Sequence, residues 1–296
     1  MKPRLLITGA SGFLGWNLCR ELADRYEIVG TRHRNRHRGH DHVRYLKVDI
    51  ADYRAMKTLL DDVRPDCVIH TAAHSNTNEC QNHPIETARI NVTASANLAG
   101  LCEDRSLHMA FTSTDLVFDG KDAPYSEAAQ ICPMMAYGEQ KAMAEIEILQ
   151  RHAGAAICRV PLMYGCVGPG ATNFTEFLFA TIAAGKPIPL FVDEFRTPLS
   201  AVDAASGLAL VLAQRVTGKL HLAGADRVSR LEFGQRFCEV LGFRKARMAA
   251  CRQRDVPMLA PRPSDVSLDI SLAESLGFSP RQLDACLGGL RPTQEV

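Results

Sequence analysis

Short apolar runs alternate with amphipathic helical stretches along the first half of the chain. The runs typical of buried strands cover residues 5–7, 27–31, 43–49, 67–70, 109–111 and 156–160. Helical patterns stand between them, over residues 53–63 and 87–102 and from Pro133 onward. Strands that alternate with helices in this way predict an α/β fold built on a doubly wound parallel sheet.

The first strand runs into a loop with three glycines, Gly9, Gly12 and Gly15, and a helical pattern follows. Glycine allows a tight turn and a close approach of the backbone to a phosphate. The N-terminus of the following helix would point free N–H groups at a pyrophosphate. A strand, a glycine loop and a helix in this order predict dinucleotide binding, with contacts from Gly9, Ser11, Gly12, Phe13, Leu14 and Gly15.

The residues after the second strand indicate which dinucleotide is bound. An NAD-binding unit would place an acid about twenty residues beyond the loop to hold the ribose 2′-hydroxyl, and residues 28–40 contain none. They contain Arg32 and Arg34 instead, within a run of arginines and histidines. Arginine pairs well with a 2′-phosphate. We therefore expect NADP rather than NAD, with Arg32 or Arg34 on the phosphate and the rest of the run in solvent.

The helix opened by Pro133 carries Tyr137 and Lys141 four residues apart, and therefore on one face. Tyrosine is normally too weak an acid to act near neutral pH, but a neighbouring ammonium lowers its pKa. The pair can then donate a proton to a developing alkoxide during carbonyl reduction. Thr114, at the end of the fifth strand, is placed to bind the same oxygen.

Composition narrows the classes of partner. The chain has 296 residues and a net charge of +1, which argues against binding to nucleic acid or to an anionic membrane. Its ten cysteines include no C-x-x-C pair, which is typical of reduced thiols rather than of a disulfide framework or a zinc site. No apolar segment approaches membrane-spanning length. We expect a cytoplasmic protein that binds no metal. A homodimer is possible, but the sequence shows no exposed apolar stripe that would require one.

These motifs, in this order, resemble an extended short-chain dehydrogenase/reductase across most of the chain. The residues that carry the resemblance are the loop at residues 8–15, Ala72-Ala73, Asn91, Ser113-Thr114-Asp115, Tyr137 with Lys141, and Arg159-x-Pro161-x-x-Tyr164-Gly165. Within that superfamily, residues 113–120 and 124–127 are similar to the dTDP-4-dehydrorhamnose reductase branch, as are Arg262-Pro263 and Leu268-Asp269 near the C-terminus.

The resemblance implies roles for particular residues. Thr114, Tyr137 and Lys141 would form the catalytic set, and Lys141 would also hold the nicotinamide ribose. Further cofactor contacts would come from Asp49 and Ile50 beside the adenine, Ala72 and Ala73 beside the ribose, Asn91 and Pro161. A nucleotide-linked sugar would meet His74, Asp115, Phe174, Arg196 and Arg262, with the two arginines on its diphosphate.

The activity implied is NAD(P)H-dependent reduction of a nucleotide-linked 4-keto-6-deoxy sugar, with hydride transfer to C4 and Tyr137 as the proton donor. Leu116 stands where related dehydratases carry an acid, which argues against dehydration. Three residues depart from the branch: Leu162, Asn78, and Gln140 in place of the usual Ser or Thr. The first two bear on the choice of sugar more than on cofactor binding. A nucleotide-sugar epimerase is an alternative. So is an NADP-binding regulatory subunit, since residues 159–165 are also similar to the β subunit of methionine adenosyltransferase.

The second half of the chain predicts a smaller lobe. Residues 173–184 and 204–212 follow helical patterns, residues 187–191 are extended, and residues 219–223 form a last strand of the main sheet. We expect an NADP-binding Rossmann domain from residues 1–165 and 197–224. A C-terminal α/β substrate lobe would combine residues 166–196 and 225–296.

Overall fold

The structure, a computed structural model, describes residues 2–33, 39–169 and 171–291. Its strands are β1 (Arg4–Thr8), β2 (Glu27–Arg32), β3 (Arg44–Lys47), β4 (Cys67–His70), β5 (His108–Thr114), β6 (Ala156–Val160), β7 (Met163–Tyr164), β8 (Ile188–Phe191), β9 (Phe195–Arg196), β10 (Leu199–Ser200), β11 (Gly218–His221), β12 (Val228–Ser229) and β13 (Met248–Cys251).

The helices are α1 (Phe13–Glu21), α2 (Tyr53–Val63), α3 (Thr77–Asn82), α4 (Pro84–Ala88), α5 (Ser95–Glu103), α6 (Ala136–Arg151), α7 (Phe174–Ala183), α8 (Ala201–Ala213), α9 (Arg230–Val240), α10 (Ser271–Ser275) and α11 (Leu283–Leu287). A π-helical segment at Arg89–Ala94 joins α4 to α5, and 3₁₀ turns lie at Asp115–Val117 and Gln253–Asp255.

Within the described residues, β1 to β6 and β11 form one parallel sheet of seven strands in the order β11-β6-β5-β4-β1-β2-β3. The direction of winding reverses at β1, which pairs with β2 on one side and with β4 on the other. Ligands of such sheets bind at this reversal, outside the carboxyl ends of the strands. The expected doubly wound α/β fold is confirmed.

Helices cover both faces of the sheet, because successive side chains of β1 point to opposite sides. Leu5 and Ile7 pack on one side with residues of α1 and α8, whereas Leu6 packs on the other with residues of α2 and α5. All three leucine and isoleucine side chains are fully buried. Helix α8 therefore returns the chain to the main sheet after the first part of the smaller lobe.

The smaller lobe packs around α7, α9 and α11, with β8 paired to β13. Its core combines aliphatic side chains with the aromatic rings of Phe179, Phe233 and Phe237. The C-terminal segment does not belong wholly to this lobe. Ala273 and Phe278 are buried in the core that contains the apolar side chains of α8.

Two helices begin before the residues that the sequence indicates. The helix expected over residues 87–102 starts at Pro84, a residue favoured at the first helical position, and contains the π-helical segment. The helix expected over residues 204–212 begins at Ala201. Ser200 caps it, because its hydroxyl accepts a hydrogen bond from the Asp203 N–H at 3.0 Å.

Among the described residues, no helix combines the length and the apolar character needed to cross a bilayer. The same parts of the chain contain no group of three or more His, Cys, Asp or Glu side chains arranged to hold a metal ion.

Candidate active site

Two adjoining clefts lie at the carboxyl ends of β1, β4 and β5, where the winding of the sheet reverses. The inner cleft has a volume of about 480 Å³ and contains the predicted catalytic residues. The outer cleft has a volume of about 670 Å³ and extends toward the ends of β2 and β3. The clefts share Gly9, Gly12 and Phe13 of the glycine loop, so a ligand laid along this loop spans both.

The glycine loop fits a dinucleotide phosphate. Gly9 has a φ of +70°, which L side chains rarely adopt, and a Cβ on Gly15 would lie 2.3 Å from the Gly9 carbonyl oxygen. Gly12 is the N-cap of α1 and has no side chain to cap the helix. The first N–H groups of α1 are thus left for a ligand, and the helix dipole favours an anion there. These features suit the pyrophosphate of NAD(P).

The outer cleft brings together the residues expected at the adenosine end of the cofactor. Its lining includes Ser11, Arg32, Asp49, Ile50, Ala72 and Ala73. The Arg32 guanidinium lies 6.0 Å from the centroid of the Tyr45 ring, which supports it at this end of the cleft. Arg34, the other predicted phosphate ligand, lies outside the described residues. Arg89, at the start of the π-helical segment, adds a cation that the sequence pattern did not single out.

Thr114, Tyr137 and Lys141 all line the inner cleft, as does Pro161. Lys141 is 2% exposed, and its Nζ lies 4.1 Å from the centroid of the Phe111 ring. Burial lowers the pKa of Lys141 to about 7, although the nearby carboxylate of Glu145 opposes this shift. The charge of Lys141 is therefore sensitive to its surroundings near neutral pH.

The electrostatics of Tyr137 differ from the expectation drawn from its spacing. Burial raises the pKa of the phenol, and the neighbouring Cys80 and Asp115 raise it further. The sequence leads us to expect a lowered pKa, but the pKa of Tyr137 is raised overall because desolvation of the phenol dominates. Tyr137 therefore keeps its proton at neutral pH, which is the state that a proton donor needs.

Thr114 is joined to a buried charge pair. Its hydroxyl accepts a hydrogen bond from the Leu116 N–H at 3.2 Å and donates one to Asp115 Oδ1 at 3.2 Å. Asp115 Oδ2 accepts a hydrogen bond from Arg196 Nη1 at 2.7 Å. Burial raises the pKa of Asp115, and Arg196 opposes this shift. The Thr114–Asp115 contact is long for a hydroxyl donor, so this hydroxyl can turn toward a substrate oxygen.

Arg196 belongs to an arginine cluster, which consists of Asp115, Glu194, Arg196, Arg230 and Arg262. Glu194 is fully buried and accepts contacts from Arg230 at 2.7 Å and from Arg262 at 3.4 Å. Burial raises the pKa of the Glu194 carboxyl, but these arginines outweigh that effect and lower the pKa to about 2. Three guanidinium groups thus face two carboxylates, and all three arginines line the inner cleft. The cluster presents a net positive charge to that cleft.

Phe174 lies between this cluster and an adjoining apolar cleft of about 330 Å³. Asn173 caps α7 by accepting a hydrogen bond from the Glu176 N–H at 3.0 Å, which places Phe174 at the start of the helix. The Arg230 guanidinium lies 4.8 Å from the centroid of the Phe174 ring. The walls of the apolar cleft include Leu162, Phe177 and Phe191. A flat aromatic group of a ligand would find stacking surfaces here.

Two predicted site residues do not line the cleft that was expected for them. Asn91, expected at the cofactor, is fully buried and lines neither cleft, because the π-helical segment turns its side chain toward the backbone of His74. His74, expected at the substrate, lines the outer cleft instead. Its position follows from the path of the chain, which turns toward the outer cleft after β4 ends at His70.

The sequence pattern singled out neither Glu194 nor Arg230. Glu194 stands just before the short strand β9, and Arg230 opens α9 directly after its capping residue, Ser229. The two residues meet because β9 and β12 pair in antiparallel fashion. A capping motif can be found in a sequence, but the long-range pairing that gives Arg230 its partner cannot.

A second buried charge network lies behind the same end of β5. Ser113 Oγ donates to Glu145 Oε1 at 2.5 Å, and Arg159 Nη2 donates to Glu145 Oε2 at 2.7 Å. Arg159 Nη1 lies 3.3 Å from His221 Nε2. Ser113, Glu145, Arg159 and His221 thus form a closed network, in which each side chain is at most 2% exposed.

The fold and the two clefts define the class of protein, an NAD(P)-dependent oxidoreductase of the extended short-chain dehydrogenase/reductase type. Residues 2–288 match the family described as the RmlD substrate binding domain. The chain therefore belongs to the dTDP-4-dehydrorhamnose reductase family, and the resemblance seen in its motifs is confirmed.

Individual proteins agree with this membership. The probable low-salt glycan biosynthesis reductase of Haloferax volcanii is 32% identical over 289 residues, which cover 96% of each chain. Methionine adenosyltransferase 2 subunit beta of Xenopus laevis is 29% identical over 286 residues, 94% of this chain and 84% of its own. The crystal structure of dTDP-4-dehydrorhamnose reductase from Bacillus anthracis in complex with NADP has a TM-score of 0.86, at 22% identity over 97% of this chain and 98% of that chain. At this identity the likeness shows the fold.

Proposed function

We propose that this protein is an NADPH-dependent reductase of a nucleotide-linked 4-keto-6-deoxy sugar, with a reaction like that of dTDP-4-dehydrorhamnose reductase. The observation that supports this most is the composition of the inner cleft. Thr114, Tyr137 and Lys141 line it together with part of the glycine loop and with the arginine cluster. A sugar carbonyl at Tyr137 would lie beside the cofactor, and the same cleft offers cations for the diphosphate.

The reaction needs one hydride and one proton. NADPH held along the glycine loop would supply the hydride to C4 of the sugar. Tyr137 donates the proton to the C4 oxygen, because the raised pKa keeps its phenol protonated at neutral pH. Thr114 donates a hydrogen bond to the same oxygen once its hydroxyl turns away from Asp115. Lys141 would hold the nicotinamide ribose and support the orientation of Tyr137 from the same face of α6.

Charge and shape support a nucleotide-linked sugar as the substrate. The arginine cluster would hold the diphosphate, since guanidinium groups bind phosphate oxygens in a bidentate way. Phe174 would stack on the base, with Arg230 against its ring. Leu116 lines the inner cleft and cannot exchange a proton, which favours reduction over dehydration.

The Tyr137→Phe variant tests the assignment. NADPH oxidation would be followed with a panel of nucleotide-linked 4-keto-6-deoxy sugars that includes dTDP-4-dehydrorhamnose. The variant should lose about 10²–10⁴-fold in turnover, the usual contribution of a general acid. Its affinity for NADPH should stay the same, because the aromatic ring remains in place. Turnover equal to that of the wild type would refute the role of Tyr137.

A preference for NADPH over NADH is part of the proposal, with Arg32 and Arg34 on the 2′-phosphate. Arg32 lines the outer cleft at the end of β2, where this phosphate would lie. Arg32→Ala combined with Arg34→Ala should weaken NADPH binding more than NADH binding. Arg25→Ala, at an exposed position between α1 and β2, is the control. An equal loss for both cofactors would mean that these arginines do not read the phosphate.

A regulatory subunit that keeps the fold to bind NADP is the second candidate. It is supported by the similarity to the Xenopus laevis β subunit over 94% of this chain. A lack of turnover across the whole sugar panel, together with a partner enzyme whose activity changes when this chain is added, would favour it over the reductase.

A further inference from the structure

One buried amide joins the π-helical segment to the loop that lines both clefts. Asn91 Oδ1 accepts a hydrogen bond from the His74 N–H at 2.8 Å, and Asn91 Nδ2 donates to the His74 carbonyl at 2.9 Å. Both backbone groups of one loop residue are thus held by one side chain. The loop that follows β4 includes Thr71, Ala73 and Ser75, which line both clefts.

A second buried amide, that of Gln140, joins Asn91 to the catalytic helix. Gln140 Oε1 accepts from Asn91 Nδ2 at 2.7 Å. Gln140 Nε2 donates to Thr87 Oγ1 at 2.8 Å and to the Pro84 carbonyl at 3.0 Å. Gln140 is 6% exposed and Asn91 is fully buried, so water competes little for these bonds.

The π-helical segment is what allows this arrangement. An i→i+5 turn inserts one extra residue into a helix and rotates the side chains on either side of it. Asn91 lies inside such a turn, at Arg89–Ala94, and points inward. Such insertions are frequent at functional sites. In this chain the insertion aims an amide at a loop on one side and at α6 on the other.

Gln140 is the neighbour of Lys141 on α6 and lies three residues after Tyr137. A shift of α6 along or about its axis would displace both catalytic side chains relative to the loop at residues 71–75. Displacements of about 1 Å can cost as much as 10²-fold in an oriented site. The amide pair opposes that shift with bonds to three separate segments: the loop, α4 and the π-helical segment.

We propose that Gln140 is a positioning residue, which sets Tyr137 and Lys141 against the cofactor loop through Asn91 and thereby governs binding of the nicotinamide half of NADPH. The inference rests on the placement of the cofactor in the proposed function. It does not depend on which sugar is reduced. It assigns a task to a residue that departs from the Ser or Thr usual in the branch this chain resembles.

Gln140→Met tests this role, because methionine has a similar length and volume but makes none of the three hydrogen bonds. Binding of NADPH would be compared with binding of adenosine 2′,5′-bisphosphate, which matches only the adenosine half and thus reports on the outer cleft. NADPH should bind about tenfold more weakly, the effect of about one lost hydrogen bond. Adenosine 2′,5′-bisphosphate should bind as to the wild type. Calorimetry measures both without any sugar substrate.

Two further variants separate positioning from a general loss of structure. Thr87→Val keeps the shape of Thr87 but removes one anchor of Gln140, so it should weaken NADPH binding by less than Gln140→Met does. Gln150→Met, at an exposed position on the same helix, should change neither ligand. An equal loss of affinity for both ligands in Gln140→Met, or no loss for either, would overturn the proposal.

The experiments distinguish failure of the proposed reductase activity from failure of the proposed positioning role of Gln140. A wild-type protein that reduces no sugar in the panel, but shows the split between the two ligands on Gln140→Met, contradicts the reductase and supports the positioning role. A wild-type protein that binds neither ligand overturns both. When turnover is present, Gln140→Met should lower kcat while leaving the KM for the nucleotide sugar unchanged, since the arginine cluster lies on other elements.

Discussion

Two buried charge clusters flank the end of β5, and they differ in how their charges are balanced. The closed network pairs one carboxylate, Glu145, with one guanidinium, Arg159, and both side chains are at most 1% exposed. The arginine cluster sets three guanidinium groups against two carboxylates, and Arg262 is 37% exposed. Adjacent residues of β5 contact the two clusters: Ser113 belongs to the closed network, and Thr114 donates to Asp115 of the arginine cluster. Neighbouring side chains of a strand point to opposite faces.

This difference in charge balance distinguishes a cluster that stabilises the fold, the closed network, from one that is suited to bind a ligand, the arginine cluster. A buried ion pair whose hydrogen bonds are made adds little net stability, but it is costly to break. The closed network therefore fixes how β5 meets α6, and with it the height of Lys141 above the sheet. An excess of positive charge along a cleft attracts an anion and leaves donors for it. The arginine cluster has that excess and the closed network does not.

Breaking the closed network should give the largest effect. Glu145→Gln leaves the Arg159 guanidinium buried without a counter-charge, which should lower the free energy of unfolding by about 3–5 kcal/mol. Urea unfolding near neutral pH measures the change. Glu147→Gln, two residues along the same helix, removes a carboxylate that meets Arg151 at the surface and should cost at most about 0.5 kcal/mol. Similar losses in the two variants would show that the closed network is not a scaffold.

Local patterns predicted the framework around these clusters but not the clusters themselves. Helix α2 and strand β4 begin and end where apolar periodicity and Pro65 place them. The charged partners, in contrast, are far apart in sequence: 81 residues separate Arg196 from Asp115, and 68 separate Arg262 from Glu194. A single sequence carries no signal for such contacts. Resemblance to a family could suggest the arginines, but not the carboxylate that holds them together.

The protonation of Tyr137 and the π turn that contains Asn91 could not be predicted from the sequence either, for related reasons. Spacing places Tyr137 and Lys141 on one face of α6, but the pKa of Tyr137 depends on how completely the fold encloses the phenol. Spacing likewise places Asn91 inside a helix. It does not reveal the π turn that aims the amide at His74, because that turn is set by contacts with the loop and with Gln140.

The two clusters should also respond to different ranges of pH. Burial and the nearby Arg159 guanidinium lower the pKa of His221 from 6.5 to about 4. The unfolded chain therefore binds more protons as the pH falls from 6.5 to 4, and the free energy of unfolding falls with it. At pH 5 the loss from His221 is about 2 kcal/mol. Glu194, with a pKa lowered from 4.5 to about 2, keeps its contribution until the pH falls below 4.5.

Urea unfolding at pH 7.5 and pH 5 compares these ranges. His221→Gln should flatten the dependence of the wild type, whereas His83→Gln, at an exposed position, should leave it unchanged. His70, whose burial lowers its pKa to about 3, contributes in the same range to all three proteins, so the difference between them isolates His221. If the free energy of unfolding of His221→Gln depends on pH as strongly as that of the wild type, His221 does not contribute to the pH dependence between pH 7.5 and pH 5.

The smallest predicted effect is a change in ligand affinity when Glu194, a counter-charge of the arginine cluster, is neutralised. Glu194 Oε1 takes the 2.7 Å contact from Arg230 and a weaker one from Arg196 at 3.5 Å, whereas Oε2 takes the 3.4 Å contact from Arg262. In Glu194→Gln, the remaining amide oxygen can keep Arg230, while the NH₂ group releases Arg262 to a ligand. The net charge of the cluster rises by one at the same time.

A nucleoside diphosphate should therefore bind Glu194→Gln about tenfold more tightly than it binds the wild type, a difference of about 1.4 kcal/mol. The gain should shrink as salt is added, because it is electrostatic. Calorimetry with UDP and dTDP at low and high salt measures both effects, with the exposed Glu239→Gln as a control of equal charge. Weaker binding to Glu194→Gln would reverse the comparison: Glu194 would then act chiefly by holding the arginines in place, as Glu145 holds Arg159, and the excess charge would not be what draws the anion.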